Sequence, residues 1–332
     1  MSGIKNRIRA LVLFSGGLDS ILAVLLLKEQ NIEVVGICFS TPFFDCQKGE
    51  EIANELKIKL IKKDISSKFW SILKKPVYGY GRNMNPCLDC HLLMLKEAKK
   101  LMKKVKADFV ATGEVLGERP FSQNKNALDI LAHKSGLKDL LLRPLSAKLL
   151  PLTIPEKKGW VDREKLLAIA GRRRVIQINL SRKWKIKNYP TPASGCLLTD
   201  PGYSFRLKRL LKINPSLNIN DAELIKYGRF FIKDKSLIII GRNNEENLIL
   251  KKMALDSDII MQAAKFKGPT TLIRNYHYKK INESIIKKSA QLTGGYGKGR
   301  NENLLEIIYY SPKEPDKINS IIVKPQKPKT IS

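Results

Sequence analysis

Phe14-Ser15-Gly16-Gly17-Leu18-Asp19-Ser20 follows the apolar run Ala10-Leu11-Val12-Leu13 and precedes an apolar-rich segment, Ile21 to Glu29. The run reads as a buried strand and the segment after it as a helix. Strand, tight glycine turn and helix start make the layout of an anion site. Adjacent glycines let the backbone turn sharply and approach a ligand closely. The helix start aims N–H groups and the positive end of its dipole at that ligand. Ser15 and Ser20 add hydroxyls. Asp19 is out of place beside a phosphate unless it caps the helix or works with a metal. The plainer alternative is an ordinary glycine turn capping a helix. No lysine follows the glycines, so the Walker pattern G-x-x-x-x-G-K-S/T is excluded.

Working outward, strands and helices alternate. Glu33 to Phe39, Lys57 to Ile65, Asp108 to Thr112 and Leu140 to Arg143 read as strands. Glu50 to Leu56 reads as a helix, and Leu92, Leu95, Ala98, Met102 and Val105 recur at helical spacing. Alternation of this kind predicts an α/β fold, a parallel sheet with helices on both faces. Ligands of such sheets sit beyond the carboxyl ends of the strands. Ser15, Gly16, Gly17, Asp19, Ser20, Phe39, Thr112 and Gly113 all fall at such ends and are expected to converge on one nucleotide.

The 332 residues suffice for about two domains. The net charge is +30, from 61 Lys+Arg against 31 Asp+Glu. Such an excess points to a polyanionic partner, because neutralising phosphates releases counterions. A lysine-rich genome is the competing explanation for part of it. No apolar run reaches membrane length, and Ala10 to Phe14 is too short for a signal-peptide core. Five cysteines do not make a disulfide scaffold. The expectation is a cytoplasmic protein with reduced thiols and no membrane partner.

The first domain is expected over 1–175. A basic Pro/Gly connector carrying Cys196 follows over 176–205, then a smaller α+β domain over 206–312 and a loose tail over 313–332. Arg172, Arg173, Arg174, Arg182, Lys183 and Lys185 lie around Trp184 and Tyr189, a mixture able to hold phosphates and stack bases. The alternative is a solvated linker. In the second domain, Ser236 to Gly241, Thr270 to Arg274 and Leu304 to Tyr310 read as strands, and Asn243 to Met253 as a helix.

Cys87-Leu-Asp-Cys90 stands between a Gly/Asn-rich stretch and a helix, and Cys196 follows Gly195 much later. Three thiolates fit an iron–sulfur cluster with one open iron, or zinc completed by His91 or water. Cys38, inside an apolar run, reads as core packing. Cys46 is left undecided.

The S-G-G-x-D-S stretch resembles the pyrophosphate loop of the PP-loop ATPases. The block Asn85-Pro-Cys-Leu-Asp-Cys-His91, Ala111-Thr-Gly-Glu114 and Gly195-Cys196 resembles their tRNA thiolation group, the 2-thiouridylases and 4-thiouridine synthetases. The resemblance covers about residues 8 to 200. It implies a Rossmann-like (HUP, adenine nucleotide alpha hydrolase-like) domain that uses ATP and Mg2+ to adenylate a uridine carbonyl oxygen before sulfur replaces it. It also implies a cluster, taken as 4Fe–4S with zinc as alternative, on Cys87, Cys90 and Cys196. Arg143, in Arg-Pro-Leu-Ser-Ala-Lys148, would hold the α-phosphate, with Asp19 and the cysteines carrying the chemistry. tRNA and a sulfur donor, either sulfide or a carrier protein or desulfurase, would be the partners. Two departures stand out. Glu114 replaces the group's usual histidine, and no N-terminal RNA-binding region is expected before a loop that begins at residue 15. Instead Gly241 to Asn247 and Ala263 to Gly268 resemble the RNA-binding domain of the NFACT proteins. A generic dimerisation domain, and with it a homodimer, is the alternative there. Two further readings compete with thiolation: a small-molecule PP-loop synthase with structural zinc, and a non-catalytic RNA-binding factor that senses nucleotide.

Overall fold

Along β1 (Arg9–Leu13), Ala10 and Val12 enter one apolar cluster and Leu11 enters another. That alternation places a buried layer on each face of the strand. The computed structural model describes residues 7–190, 195–277 and 281–326. The chain divides into two units between Asp200 and Pro201.

In the first unit, β1 is followed by α1 (Leu18–Lys28), β2 (Glu33–Ser40), α2 (Gln47–Glu55), β3 (Lys59–Asp64) and α3 (Ser66–Lys74). Then come α4 (Cys87–Lys104), β4 (Phe109–Thr112), α5 (Lys125–Ser135), β5 (Leu141–Leu142), α6 (Ile154–Lys157) and α7 (Val175–Lys183). The sheet is parallel, in the order β3-β2-β1-β4-β5. On one face Ile21, Val24 and Leu27 of α1 and Ile52 of α2 cover Ala10, Val12 and Ala111. On the other, Leu95, Ala98 and Met102 of α4 and Leu131 of α5 cover Leu11, Ile37 and Val110. Each Leu, Ile, Val or Met side chain among them, fully buried, contributes roughly 1.5–3 kcal/mol. The chain winds outward from β1 to β3, then crosses to β4 and β5. The topological switch therefore falls between β1 and β4, where ligands of such sheets bind. The glycine turn is the first thing after β1, so the topology delivers it to that point.

The second unit contains α8 (Pro201–Ile213), α9 (Ile219–Leu224), β6 (Arg229–Lys233), β7 (Ser236–Ile240), α10 (Asn244–Met253), β8 (Ile259–Ala263), β9 (Thr271–Asn275), α11 (Glu283–Gly295), β10 (Leu305–Ser311) and β11 (Glu314–Val323). Its sheet is antiparallel, ordered β11-β10-β8-β9-β7-β6. Ile285, Ile286 and Ala290 of α11 cover Ile238, Met261, Ile273 and Ile307. Arg274 is buried, held 2.7 Å from Asp258 and 2.8 Å from Asp221.

The structure departs from the sequence reading in four places. Much of the expected tail forms β11, the edge partner of β10, with Pro315 tolerated because an edge strand can spare one N–H, while its residues 327–332 lie outside the described residues. The expected connector begins as α7, which packs on α1 within the first unit. Trp184 and Tyr189 lie against that unit's apolar cluster, and the Trp184 indole donates to Glu29 Oε1 at 2.7 Å, so neither ring stands out as a stacking platform. Cys38 and Cys46 form a disulfide between the end of β2 and the start of α2, their Cα atoms 5.8 Å apart. Cys38 is buried as expected, but it is not a reduced core thiol. Residues 191–194 of the connector lie outside the described residues.

Candidate nucleotide and cysteine site

The turn after β1 is shaped by close backbone approach. Gly16 has φ +76°, and a Cβ there would lie 2.9 Å from the backbone of Gly49 in α2. A Cβ on Gly113, at the end of β4, would lie 2.6 Å from Asp19 C and Ser20 N. Only glycine lets these three segments meet. Gly17 is the N-cap of α1 in extended backbone, and its N–H donates to Ser15 Oγ at 3.3 Å. The Ser20 hydroxyl donates to Gly17 O at 2.8 Å. Asp19 therefore sits in the first turn of α1 and does not cap it. The N–H groups of that turn point out of the helix toward the loop.

Asp19 is paired with Arg174, whose Nε also lies 3.4 Å from Glu118 Oε1. Burial pushes the Asp19 carboxyl up, and the charges of Arg174 and Arg119 pull it partly back. Glu118 is also pushed up, first by burial and then by Asp19. Gln177 of α7 lies beside Asp19 and is fully buried.

The end of β4 leads to a second group. Buried Glu114 accepts from Arg143 Nε at 2.9 Å and from Thr112 Oγ1 at 3.0 Å, and meets His91 Nδ1 at 3.0 Å. Burial alone would raise this carboxyl, but Arg143 and His91 outweigh it and hold it at about 2. Arg143 also donates to Leu128 O at 3.1 Å.

His91 belongs to the first turns of α4, directly after Cys90. Helices that lead into a parallel strand start at the carboxyl end of the sheet, so Cys87 and Cys90 lie on the same side as the glycine turn. Asp89 fixes the approach by accepting from Val77 N and Tyr78 N, both at 3.0 Å. Asn85 Nδ2 donates to Cys87 Sγ at 3.2 Å. Leu197 N donates to Phe43 O at 2.9 Å and Asn83 Nδ2 to Thr199 O at 2.7 Å, tying the Cys196 segment to the same region. The three cysteines carry no disulfide. Burial raises all three thiols, and repulsion from neighbouring cysteines adds to it at Cys90 and Cys196. Cys196 is pushed up to about 12 and Cys90 well above the ordinary range. Among the described residues, no group of three or more His, Cys, Asp or Glu is drawn together as a metal site. By their chemistry as donors, the three thiols suit a soft metal or an iron–sulfur cluster once deprotonated.

Of the other residues expected here, Ser15, Thr112 and Gly113 are in place. Phe39 is buried in the apolar cluster under α4. Arg172, Arg173, Arg182, Lys183 and Lys185 are exposed. Arg174 is turned inward to Asp19, and Arg143 is committed to Glu114. Sequence reasoning misses Glu118 and Gln177, because neither stands in a motif. Glu114 is visible only as an unusual residue after Ala-Thr-Gly.

The first unit is thus a parallel five-stranded sheet with helices on both faces, and the second is a separate domain on an antiparallel sheet. Residues 8–154 match the tRNA methyl transferase HUP domain family, and residues 228–332 match the NFACT protein RNA binding domain. Curated relatives include tRNA-specific 2-thiouridylase MnmA of Karelsulcia muelleri, 27% identical over 194 residues, covering 52% of this chain and 49% of that protein. MnmA of Syntrophomonas wolfei is 37% identical over 113 residues, covering 31% of this chain and 32% of that one. The chain thus spans about half the length, or less, of the curated relatives it matches. Among solved structures, a 4-thiouridine synthetase in complex with RNA and ATP is similar at 18% identity and TM-score 0.37, over 65% of this chain and 53% of that one. The U34-tRNA thiolase NcsA of Methanococcus maripaludis with its 4Fe–4S cluster is similar at 17% identity and TM-score 0.33, over 64% and 69%. Among the described residues, no helix is long and apolar enough to cross a membrane.

Proposed function

We propose that this chain is an ATP-dependent tRNA uridine sulfurtransferase of the cytoplasm. The observation that carries the reading is the bridge from the cysteine block to the phosphate loop. His91, next to Cys90, meets Glu114, and Gly113 beside it packs on the backbone of Asp19 and Ser20. These contacts support reading two motifs some seventy residues apart as parts of one site, as does the charge of Arg119, which bears on both Asp19 and Cys87.

ATP would lie with its phosphates over Gly16, Gly17 and the start of α1, and Asp19 would face its Mg2+. The uridine carbonyl oxygen attacks the α-phosphorus, the bond to the bridging oxygen breaks, and pyrophosphate leaves. Sulfide then adds to the activated carbon, and AMP leaves with the former carbonyl oxygen. Holding the sulfur beside that carbon lowers the entropic barrier. Cys87, Cys90 and Cys196 would hold an iron–sulfur cluster, which when bound supplies an iron on which sulfur is kept. Arg143, fixed by Glu114, keeps positive charge near the end of β4. Exposed Arg172, Arg173, Arg182, Lys183 and Lys185, with the NFACT-type domain, would grip tRNA phosphates. The sulfur donor would be sulfide or a carrier protein.

The test is incubation with ATP, Mg2+, sulfide and unmodified tRNA under anaerobic conditions. Nucleoside mass spectrometry should find a thiouridine, with one pyrophosphate released per sulfur added. Pyrophosphate release without thiolation would favour a different acceptor. No ATP turnover with any tRNA would favour the nucleotide-sensing RNA-binding reading.

A further inference from the structure

Nine buried side-chain nitrogen and oxygen atoms among the described residues make no hydrogen bond. Two of them, Asp19 Oδ1 and Arg174 Nε, belong to the ion pair beside the glycine turn, where Arg174 Nε also lies 3.4 Å from Glu118 Oε1. Gln177 of α7, fully buried, lies beside Asp19. Buried polar groups short of hydrogen bonds are costly, and native folds rarely gather them in one place without a reason.

Arg174 is held there by more than its own side chain. Gly171 N donates to Leu116 O at 2.7 Å, and Ala170 bridges to Leu116, so the segment is docked on the loop carrying Glu118. Arg172 and Arg173, identical in sequence character, stay exposed.

We propose that Arg174 is a phosphate-binding residue of the nucleotide site. It is held at the loop by Asp19 and Glu118, and it transfers from Asp19 to the β- and γ-phosphates of ATP when Asp19 takes up the accompanying cation. Gln177 completes the exchange by hydrogen bonding within the same cradle. The inference rests on the nucleotide reading above and deepens it. In the adenylation step the bond between the α-phosphorus and the bridging oxygen breaks, and the electron pair leaves with pyrophosphate. Arg174 then neutralises charge growing on that leaving group, without proton transfer, as a preorganised donor. Glu118 keeps the guanidinium oriented once Asp19 has let go.

The experiment is calorimetric titration of the full chain with Mg2+ and, separately, ATP, inorganic pyrophosphate and AMP. Arg174→Ala should weaken ATP and pyrophosphate at least about tenfold, the range of one charge-assisted hydrogen bond, and change AMP binding less than about twofold. Arg174→Lys should recover part of the loss. Unchanged pyrophosphate affinity in Arg174→Ala overturns the proposal, and so does an equal loss for AMP, which marks a merely structural residue. Wild-type protein that binds neither ATP nor AMP overturns the nucleotide reading itself. Gln177→Met guards against a folding artefact. It should stay folded, because a side chain of similar volume fills the same buried place, and weaken ATP. A folded Gln177→Met variant with unchanged ATP affinity overturns the ligand role of that amide.

Discussion

His91 Nδ1 lies 3.0 Å from Glu114 Oε1, so the residue after the second cysteine of the pair meets the residue after the Ala-Thr-Gly strand end. The imidazole comes from α4, and the carboxylate joins it to Arg143. A cation and an imidazole are thus kept at the strand end by a residue that is itself an anion.

Removing that anion should be costly. Glu114 and Arg143 are both buried. Glu114→Ala leaves a buried guanidinium uncompensated, a change worth about 3–5 kcal/mol. Urea unfolding at pH 7 checks it. The double variant Glu114→Leu/Arg143→Met should recover much of the stability while losing adenylation. A single variant within about 1 kcal/mol of wild type, the value of an exposed pair, would show that the network is not buried in solution.

Acid sensitivity follows from Glu97. Its carboxylate is buried and receives Lys63 at 2.6 Å, Lys68 at 2.7 Å and Lys100 at 3.1 Å. The Lys63 hydrogen bond, with that of Lys68, holds it at about 2, below the ordinary 4.5. A depressed folded-state value means stability that is complete above the unfolded value and is lost as pH falls through the folded one. Glu97→Gln should therefore destabilise at pH 7 and lose part of the decline between about pH 4.5 and 2, the gap to wild type closing at the acid end. Unfolding midpoints across that range decide it, and a gap independent of pH would contradict the assignment.

How far the sequence discloses this molecule depends on whether the signal is local. β1, the glycine turn and α1 are legible because an apolar run, two glycines and a helical pattern are contiguous. The second sheet's core strands β7 and β9 are legible for the same reason. β11 is hidden, since Pro315 and its charged neighbours read as loop until β10 is there to pair with them. Arg174 cannot be told from Arg172 and Arg173 by residue type; only the docking of Gly171 on Leu116 turns it inward. The Cys38–Cys46 pairing depends on where β2 ends and α2 begins, which single cysteines in an apolar run do not disclose. Gln177 carries no signal at all, because its meaning lies in its burial beside Asp19.

The Cys38–Cys46 disulfide closes a short loop beside the phosphate turn; the Cβ position of Gly49 lies 3.4 Å from Cys38 Sγ. For so short a loop, cross-linking contributes about 2.5 kcal/mol in the chain-entropy picture. Reductant should lower the unfolding free energy of wild type by about that amount and leave Cys46→Ser unaffected. Alkylation of the unfolded, unreduced chain should tag three cysteines, matching the three outside the disulfide. Five tagged cysteines would mean the pair is reduced in solution.

RNA binding should separate the three arginines. Arg172 and Arg173 are exposed, whereas Arg174 is paired with Asp19. Neutralising the first two should reduce the slope of log affinity against log salt by about 0.7–0.9 for each phosphate no longer neutralised. Arg174→Ala should leave that slope in place when tRNA binding is measured without nucleotide. A KCl series with unmodified tRNA reads both. An effect confined to Arg174→Ala would place the RNA at the phosphate loop instead.

The cysteines set the last expectation. Burial, then their mutual repulsion, keeps Cys90 and Cys196 protonated at neutral pH, with Cys196 pushed up to about 12. Cys87 is raised as well, chiefly by burial, although Asn85 and Arg119 favour its thiolate. A soft metal centre binds thiolates, so loading must drive protons off, and affinity must climb with pH. Apoprotein reconstituted with iron and sulfide under anaerobic conditions should therefore turn brown and release protons. Buffers of different ionisation enthalpy measure that release calorimetrically. Cys87→Ala, Cys90→Ala and Cys196→Ala should each abolish the colour, since a cluster with only two protein thiolates is poorly held. Cys38→Ser should keep it. Protein that stays colourless and iron-free yet thiolates tRNA would rule out the cluster and leave direct thiol chemistry. Stoichiometric zinc lost in the same three variants would make the centre structural, and sulfide alone would then have to deliver the sulfur.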